Sequence, residues 1–111
     1  MNVGVDIEEV KRFEKYVKDK DYLERVFAED EISYCMRKKN PAQHLAARFA
    51  AKEAVWKALN TKNKKLIITD ISVKNIRSGK PEVYIKNRRC KKIELSLLYT
   101  AEYAVAVVAA F

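Results

Sequence analysis

Glycine and proline are scarce in this chain, with two of each in 111 residues. A linker-rich or low-complexity protein is excluded, and each of the four marks a turn or a close approach. Histidine is scarcer: His44 stands alone. The two cysteines, Cys35 and Cys90, lie far apart with no CxxC spacing. These three residues match no familiar zinc pattern, so any metal would be a hard cation held by carboxylates. Two unpaired thiols are expected rather than a disulfide. No apolar run is long enough to span a bilayer. The opening MNVGVDIEEV lacks the basic start and long apolar stretch of a signal peptide. Together these absences predict a cytoplasmic protein with no membrane partner.

What is present is a balanced globular composition, 49% hydrophobic and 34% charged. The length fits one domain, residues 1–111. A net charge of +8 predicts attraction to something acidic: nucleic acid, an anionic membrane, a phosphorylated ligand or an acidic protein.

VGVDI (3–7) alternates, with Val3, Val5 and Ile7 on one face and Gly4 and Asp6 on the other, and reads as a strand. Val10, Phe13, Tyr16 and Val17 then fall at helical spacing, with Lys11, Arg12, Lys15 and Lys18 off that stripe. AEDEISYCM (28–36) predicts a second short helix. Asn40-Pro41 is an N-cap followed by a first-turn proline, opening a helix to Leu59 that closes at Asn60. Strands follow at 66–73 (LIITDISV), 82–86 (EVYIK, after the turn RSGKP), 93–98 (IELSLL) and 103–111 (YAVAVVAAF, after TAE). The expectation is an α+β domain: a mostly antiparallel sheet packed on one long helix, with two short helices.

The long helix is unusual. RFAAKEAVWKAL (48–59) is apolar nearly all round, yet carries Arg48, Lys52, Glu53 and Lys57. Burying an unpaired charge is costly. These side chains therefore form a solvated face, or they line a cleft suited to a phosphorylated ligand and its metal. Asp6 is a partner for Glu53 if the fold brings them together; taken singly, it reads as a strand-end or capping residue. Two close carboxylates repel unless a cation lies between them.

Three segments, GVDIEEVKRF (4–13), RFAAKEAVWKAL (48–59) and SGKP (78–81), at this order and spacing, resemble the holo-acyl-carrier-protein synthases, the small bacterial 4′-phosphopantetheinyl transferases. The resemblance implies transfer of the 4′-phosphopantetheine arm of coenzyme A to a serine of apo acyl carrier protein, releasing adenosine 3′,5′-bisphosphate. It implies Mg²⁺ held by Asp6 and Glu53, with Lys57 at the phosphates. It implies coenzyme A contacts from Arg48, Lys52, Gly79, Lys80 and Pro81. An acidic carrier would dock on Lys11, Arg12, Lys15 and Lys18. The family's trimers place active sites between subunits, and YAVAVVAAF fits either such an interface or the core. Two departures stand out. Leu98-Tyr99, within SLLYT, replaces the family's Ser-His, and NTKNKK (60–65) replaces a glycine-rich stretch. The competing reading is a small basic RNA-binding module, but the six tyrosines are scattered rather than arranged as a stacking platform.

Overall fold

The computed structural model describes residues 1–59, 66–75 and 78–111. NTKNKK, the helix end at Asn60 and Arg77 of the RSGKP turn lie outside the described residues.

The elements run β1 (Asn2–Glu9), α1 (Val10–Glu14), a 3₁₀ turn (Lys15–Lys18), α2 (Lys20–Val26), α3 (Glu29–Met36), α4 (Pro41–Leu59), a 3₁₀ turn (Ile68–Asp70), β2 (Ile71–Asn75), β3 (Pro81–Ile85), β4 (Arg88–Arg89), β5 (Ile93–Tyr99) and β6 (Tyr103–Ala110). The α+β expectation holds, with four differences. The strands form two three-stranded antiparallel sheets, ordered β1-β6-β5 and β2-β3-β4, not one. A third short helix, α2, precedes the predicted one; Asp19 caps it by accepting from the Tyr22 N–H at 3.0 Å. Seven residues that bury only Leu23 leave too little periodicity to read. The strand expected from Leu66 begins at Ile71, because the Asp70 carboxylate accepts from the Ile67 N–H (3.1 Å) and curls the segment into a 3₁₀ turn. β3 stops at Ile85 because Lys86 and Asn87 both take positive φ, 50° and 67°, the geometry of a tight hairpin leading into β4.

α4 is the axis of the fold. Asn40 caps it, accepting from the Gln43 N–H at 3.4 Å. Its alanines, among them Ala50, Ala51, Ala54 and Ala58, are buried against the small inner residues of β6: Ala104, Ala106, Val108 and Ala110. Small residues on both sides let helix and sheet approach closely. The tightest point is Gly4, where a Cβ would fall 1.9 Å from the Ala54 carbonyl oxygen, so no larger residue fits.

This packing turns β1 inside out. Gly4, Asp6 and Glu8 face α4, while Val3, Val5 and Ile7 are 55–60% exposed on the outer face. Val107, paired with Val5, joins them there. YAVAVVAAF therefore divides: alternate residues are core, and Tyr103 and Val107 between them are exposed on the outer face.

Candidate functional site

β6 lies under α4, and its two neighbours rise on either side of the helix. β1 pairs Asp6 with Ala106 and Glu8 with Ala104; β5 pairs Leu97 with Ala106 and Tyr99 with Ala104. Each flank therefore carries its own side chains, separated by a helix about 10 Å across.

The β1 flank is acidic. Asp6 and Glu8 stand two residues apart on the same strand face, and Glu53 faces them from α4. Lys57 donates to Asp6 Oδ1 and to the Val5 carbonyl, each at 3.1 Å. Arg12 forms a 2.6 Å ion pair with Glu8 and lies 5.2 Å from the Phe13 and Phe49 rings. Three carboxylates outnumber what these cations satisfy. Burial, with a shared hydrogen bond and repulsion from Asp6, pushes Glu8 up to about 7. Burial, then Asp6, also raises Glu53. Asp6 Oδ2 is buried with no hydrogen-bond partner. A strained acidic cluster with an unspent carboxylate oxygen fits a divalent cation. No group of three or more ligating side chains is close enough to enclose an ion among the described residues.

Glu8 is the residue the sequence reading missed on this flank. The alternation that placed Asp6 opposite Val5 also placed Glu8 there; the i,i+2 rule would have found it.

The β5 flank is basic and aromatic. A cavity of about 380 Å³ is lined by Arg48, His44, Tyr34, Asn75, Gly79, Pro81 and Tyr99, among others. Arg48 is only 4% exposed, stacks 4.5 Å from the Tyr34 ring and donates to Asn75 Oδ1; its Nε is buried without a partner. The Asn75 amide donates in turn to the Gly79 carbonyl at 2.9 Å. Asn75, unnoticed in the sequence, thus ties the guanidinium to the SGKP turn, whose φ of +84° at Gly79 requires glycine.

Three expectations need correction. Arg48 does not share a cleft with Glu53 and Lys57. At about 100° per residue, Arg48 and Lys57 point in opposite directions from α4. Lys52 does not face a ligand. It is 1% exposed, pairs with Glu31 at 2.7 Å and donates to the Val26 carbonyl at 2.9 Å. Glu31 also accepts from the Ala28 and Val73 N–H groups, at 2.8 and 3.0 Å, so this is a saturated core ion pair joining α3, α4 and β2. Lys80 does not line the β5-flank cavity with Gly79 and Pro81; its ammonium lies 4.0 Å from Glu94.

Lys11, Arg12 and Lys15 are exposed around a cavity beside the acidic flank, shared with Ile7, Glu8 and Tyr103. Lys18 is separated from them, on the rim of an apolar groove lined by Leu23, Phe27, Ile32 and Met36. No described helix is long and apolar enough to cross a membrane. Both cysteines are unpaired.

A long alanine-rich helix thus crosses an antiparallel sheet with an Asp-Glu cluster on one flank and a buried arginine on the other. Residues 2–108 match the family model described as the 4′-phosphopantetheinyl transferase superfamily, and the chain belongs to that family. It is similar to a holo-[acyl-carrier-protein] synthase of Thermodesulfovibrio yellowstonii, 48% identical over 96% of this chain and 94% of that one. Among solved structures, it is similar to the holo-[acyl-carrier-protein] synthase of Helicobacter pylori in complex with coenzyme A, with TM-score 0.80 and 30% identity over 98% of this chain and 99% of that one. It is also similar to the Bacillus anthracis enzyme in complex with CoA (3′,5′-ADP), with TM-score 0.79 and 34% identity over 96% and 92% of the two chains.

Proposed function

We propose that this protein transfers the 4′-phosphopantetheine arm of coenzyme A to a serine hydroxyl of an acidic apo acyl carrier protein, in the cytoplasm. The observation that carries this reading is the strained Asp6–Glu8–Glu53 cluster beside Lys57, in a chain of this family. The serine oxygen attacks the β-phosphorus. The bond from that phosphorus to the bridging oxygen breaks, and adenosine 3′,5′-bisphosphate leaves. Such a reaction demands positioning and charge neutralisation above all. Asp6 and Glu53 would hold Mg²⁺, which when bound would polarise the phosphoryl oxygens and steady the leaving phosphate. Lys57 commits two donors to Asp6 and Val5 and keeps one for a phosphate oxygen, so it acts as a charge donor. That leaves a carboxylate of the cluster to accept the serine proton. Incubation with coenzyme A, Mg²⁺ and an apo carrier should add the mass of phosphopantetheine to the carrier. A folded protein giving no such gain with several carriers sinks the reading. Saturable, salt-dependent RNA binding without coenzyme A affinity would favour the RNA-binding module instead.

The working unit is a homotrimer whose sites lie between subunits. Two observations support this. Val3, Val5, Ile7, Val107 and Leu98 expose an apolar sheet face of the kind that marks a subunit interface. The acidic and basic flanks also stand on opposite sides of α4, so one substrate can meet both only if the second comes from a neighbour. Mixing Glu53→Ala and Arg48→Gln chains after reversible dissociation should then restore about a quarter of wild-type activity, from trimers with one intact half-site on each side of an interface. No recovery in mixed trimers would place each site within one subunit.

A further inference from the structure

The sequence has no histidine at position 99, where the resemblance leads one to expect it; its only imidazole, His44, lines the same cavity as Tyr99. His44 sits one helical turn before Arg48, on the same side of α4. Tyr99 meets it edge-on, with ring centroids 5.2 Å apart, and Tyr34 flanks it at 6.2 Å. Among the described residues, neither the His44 ring nitrogens nor the Tyr99 hydroxyl has a hydrogen-bond partner. Beside them lies the nine-tenths-buried Arg48 with its unpartnered Nε. A buried guanidinium with an unpartnered Nε, beside an imidazole and a phenol hydroxyl that open to the same cavity, suits an oxyanion.

Coenzyme A carries two phosphate groups of different kinds. The diphosphate belongs at the acidic flank, where the reaction occurs. The cavity on the opposite side of α4 is left for the monophosphate ester on the ribose. We infer that His44 and Tyr99, acting with Arg48, recognise the 3′-phosphate of coenzyme A, so that this chain supplies from its long helix the imidazole absent from β5. The inference rests on the transferase reading for the identity of the ligand. The groups facing His44 are Tyr34 from α3, Lys38 after it, Arg48 from α4 and Tyr99 from β5. Burial first, then Lys38 and Arg48, lowers the His44 pKa.

A single histidine makes the test direct, because the imidazole ¹⁵N resonances of the protein have one source. Titration with adenosine 3′,5′-bisphosphate should shift them saturably, and 5′-AMP should shift them much less. By calorimetry, His44→Phe, which keeps a ring between the tyrosines, should weaken bisphosphate binding about tenfold while changing 5′-AMP binding less than twofold. His44→Gln should recover part of the difference. Equal shifts with both nucleotides, or equal weakening of both by His44→Phe, would reduce His44 to a packing residue and overturn the inference. So would an unmoved imidazole signal at saturating bisphosphate, which needs no variant to fold. A wild-type protein that modifies carriers yet fails these tests loses only this inference. One that shifts His44 with bisphosphate but modifies no carrier loses the transferase reading.

Discussion

Lys52 and Lys57 are five residues apart on one helix, and their fates differ completely. Lys57 is half exposed on the acidic flank, holding Asp6. Lys52 is sealed in the core, held by Glu31 and the Val26 carbonyl. The same contrast runs through the flanks they belong to. The β1 flank gathers more negative charge than its own lysine and arginine neutralise, and both Glu8 and Glu53 are raised by it. The Lys52 pair is already complete: every strong acceptor of Glu31 has a donor, and nothing is left for a ligand. Charge on a helix thus marks function only where the surrounding shell leaves it unsatisfied.

The sharpest way to break this contrast is to remove the acidic flank. Glu53→Ala or Asp6→Ala should lower carrier modification by about 10³-fold or more, while the melting temperature stays level or rises as carboxylate repulsion is relieved. Near-full turnover by either variant would refute the assignment of these carboxylates.

The two lysines should separate stability from activity. Lys52→Met leaves Glu31 buried and unpaired and should cost about 3–5 kcal/mol in chemical denaturation. Lys57→Met should cost little in stability and most of the turnover. Reversed outcomes in the two assays would overturn the division drawn between them.

A smaller effect concerns pH. Glu8 is raised from 4.5 to about 7 by folding, so the folded state binds its proton more tightly than the unfolded chain does. Its contribution to stability is complete below about pH 4.5 and is lost as pH rises toward about 7; Glu53 acts in the same direction. A bound divalent cation reverses the penalty. Thermal melts with chelator should therefore show Mg²⁺ raising the melting temperature more at pH 7.5 than at pH 5, and an equal increment at both would remove the cluster as the cation's seat.

The smallest effect belongs to docking. Charge reversal at Lys11 or Lys15, beside the acidic flank, should slow carrier modification about two- to fivefold and reduce its salt dependence. Reversal at Lys18, set apart on the apolar groove, should do less.

Much of the fold was legible because its signals are local. Asn40-Pro41 opened α4, Gly4 marked a close approach, and strand alternation sorted Asp6 from Val5. The missed elements, α2 and β4, are short, and their formation depends on an Asp19 cap and a two-residue turn at positive φ rather than on periodicity. Glu8 was within reach of the same alternation that found Asp6. Asn75 was not, because its role depends on Arg48 from a distant helix and Gly79 across a turn.

By itself, the sequence determined the residue types and their local geometry: a strand with Asp6 on its polar side, a long alanine helix with charges at fixed offsets, and a tight turn at Gly79. Those follow from backbone sterics and side-chain spacing. The tertiary structure decided which face of β1 turned inward, which lysine became core and which stayed at the site, and that Arg48 stands across the helix from Glu53. These outcomes depend on which surfaces meet, since burial and the pairing available after burial set the cost of every charge.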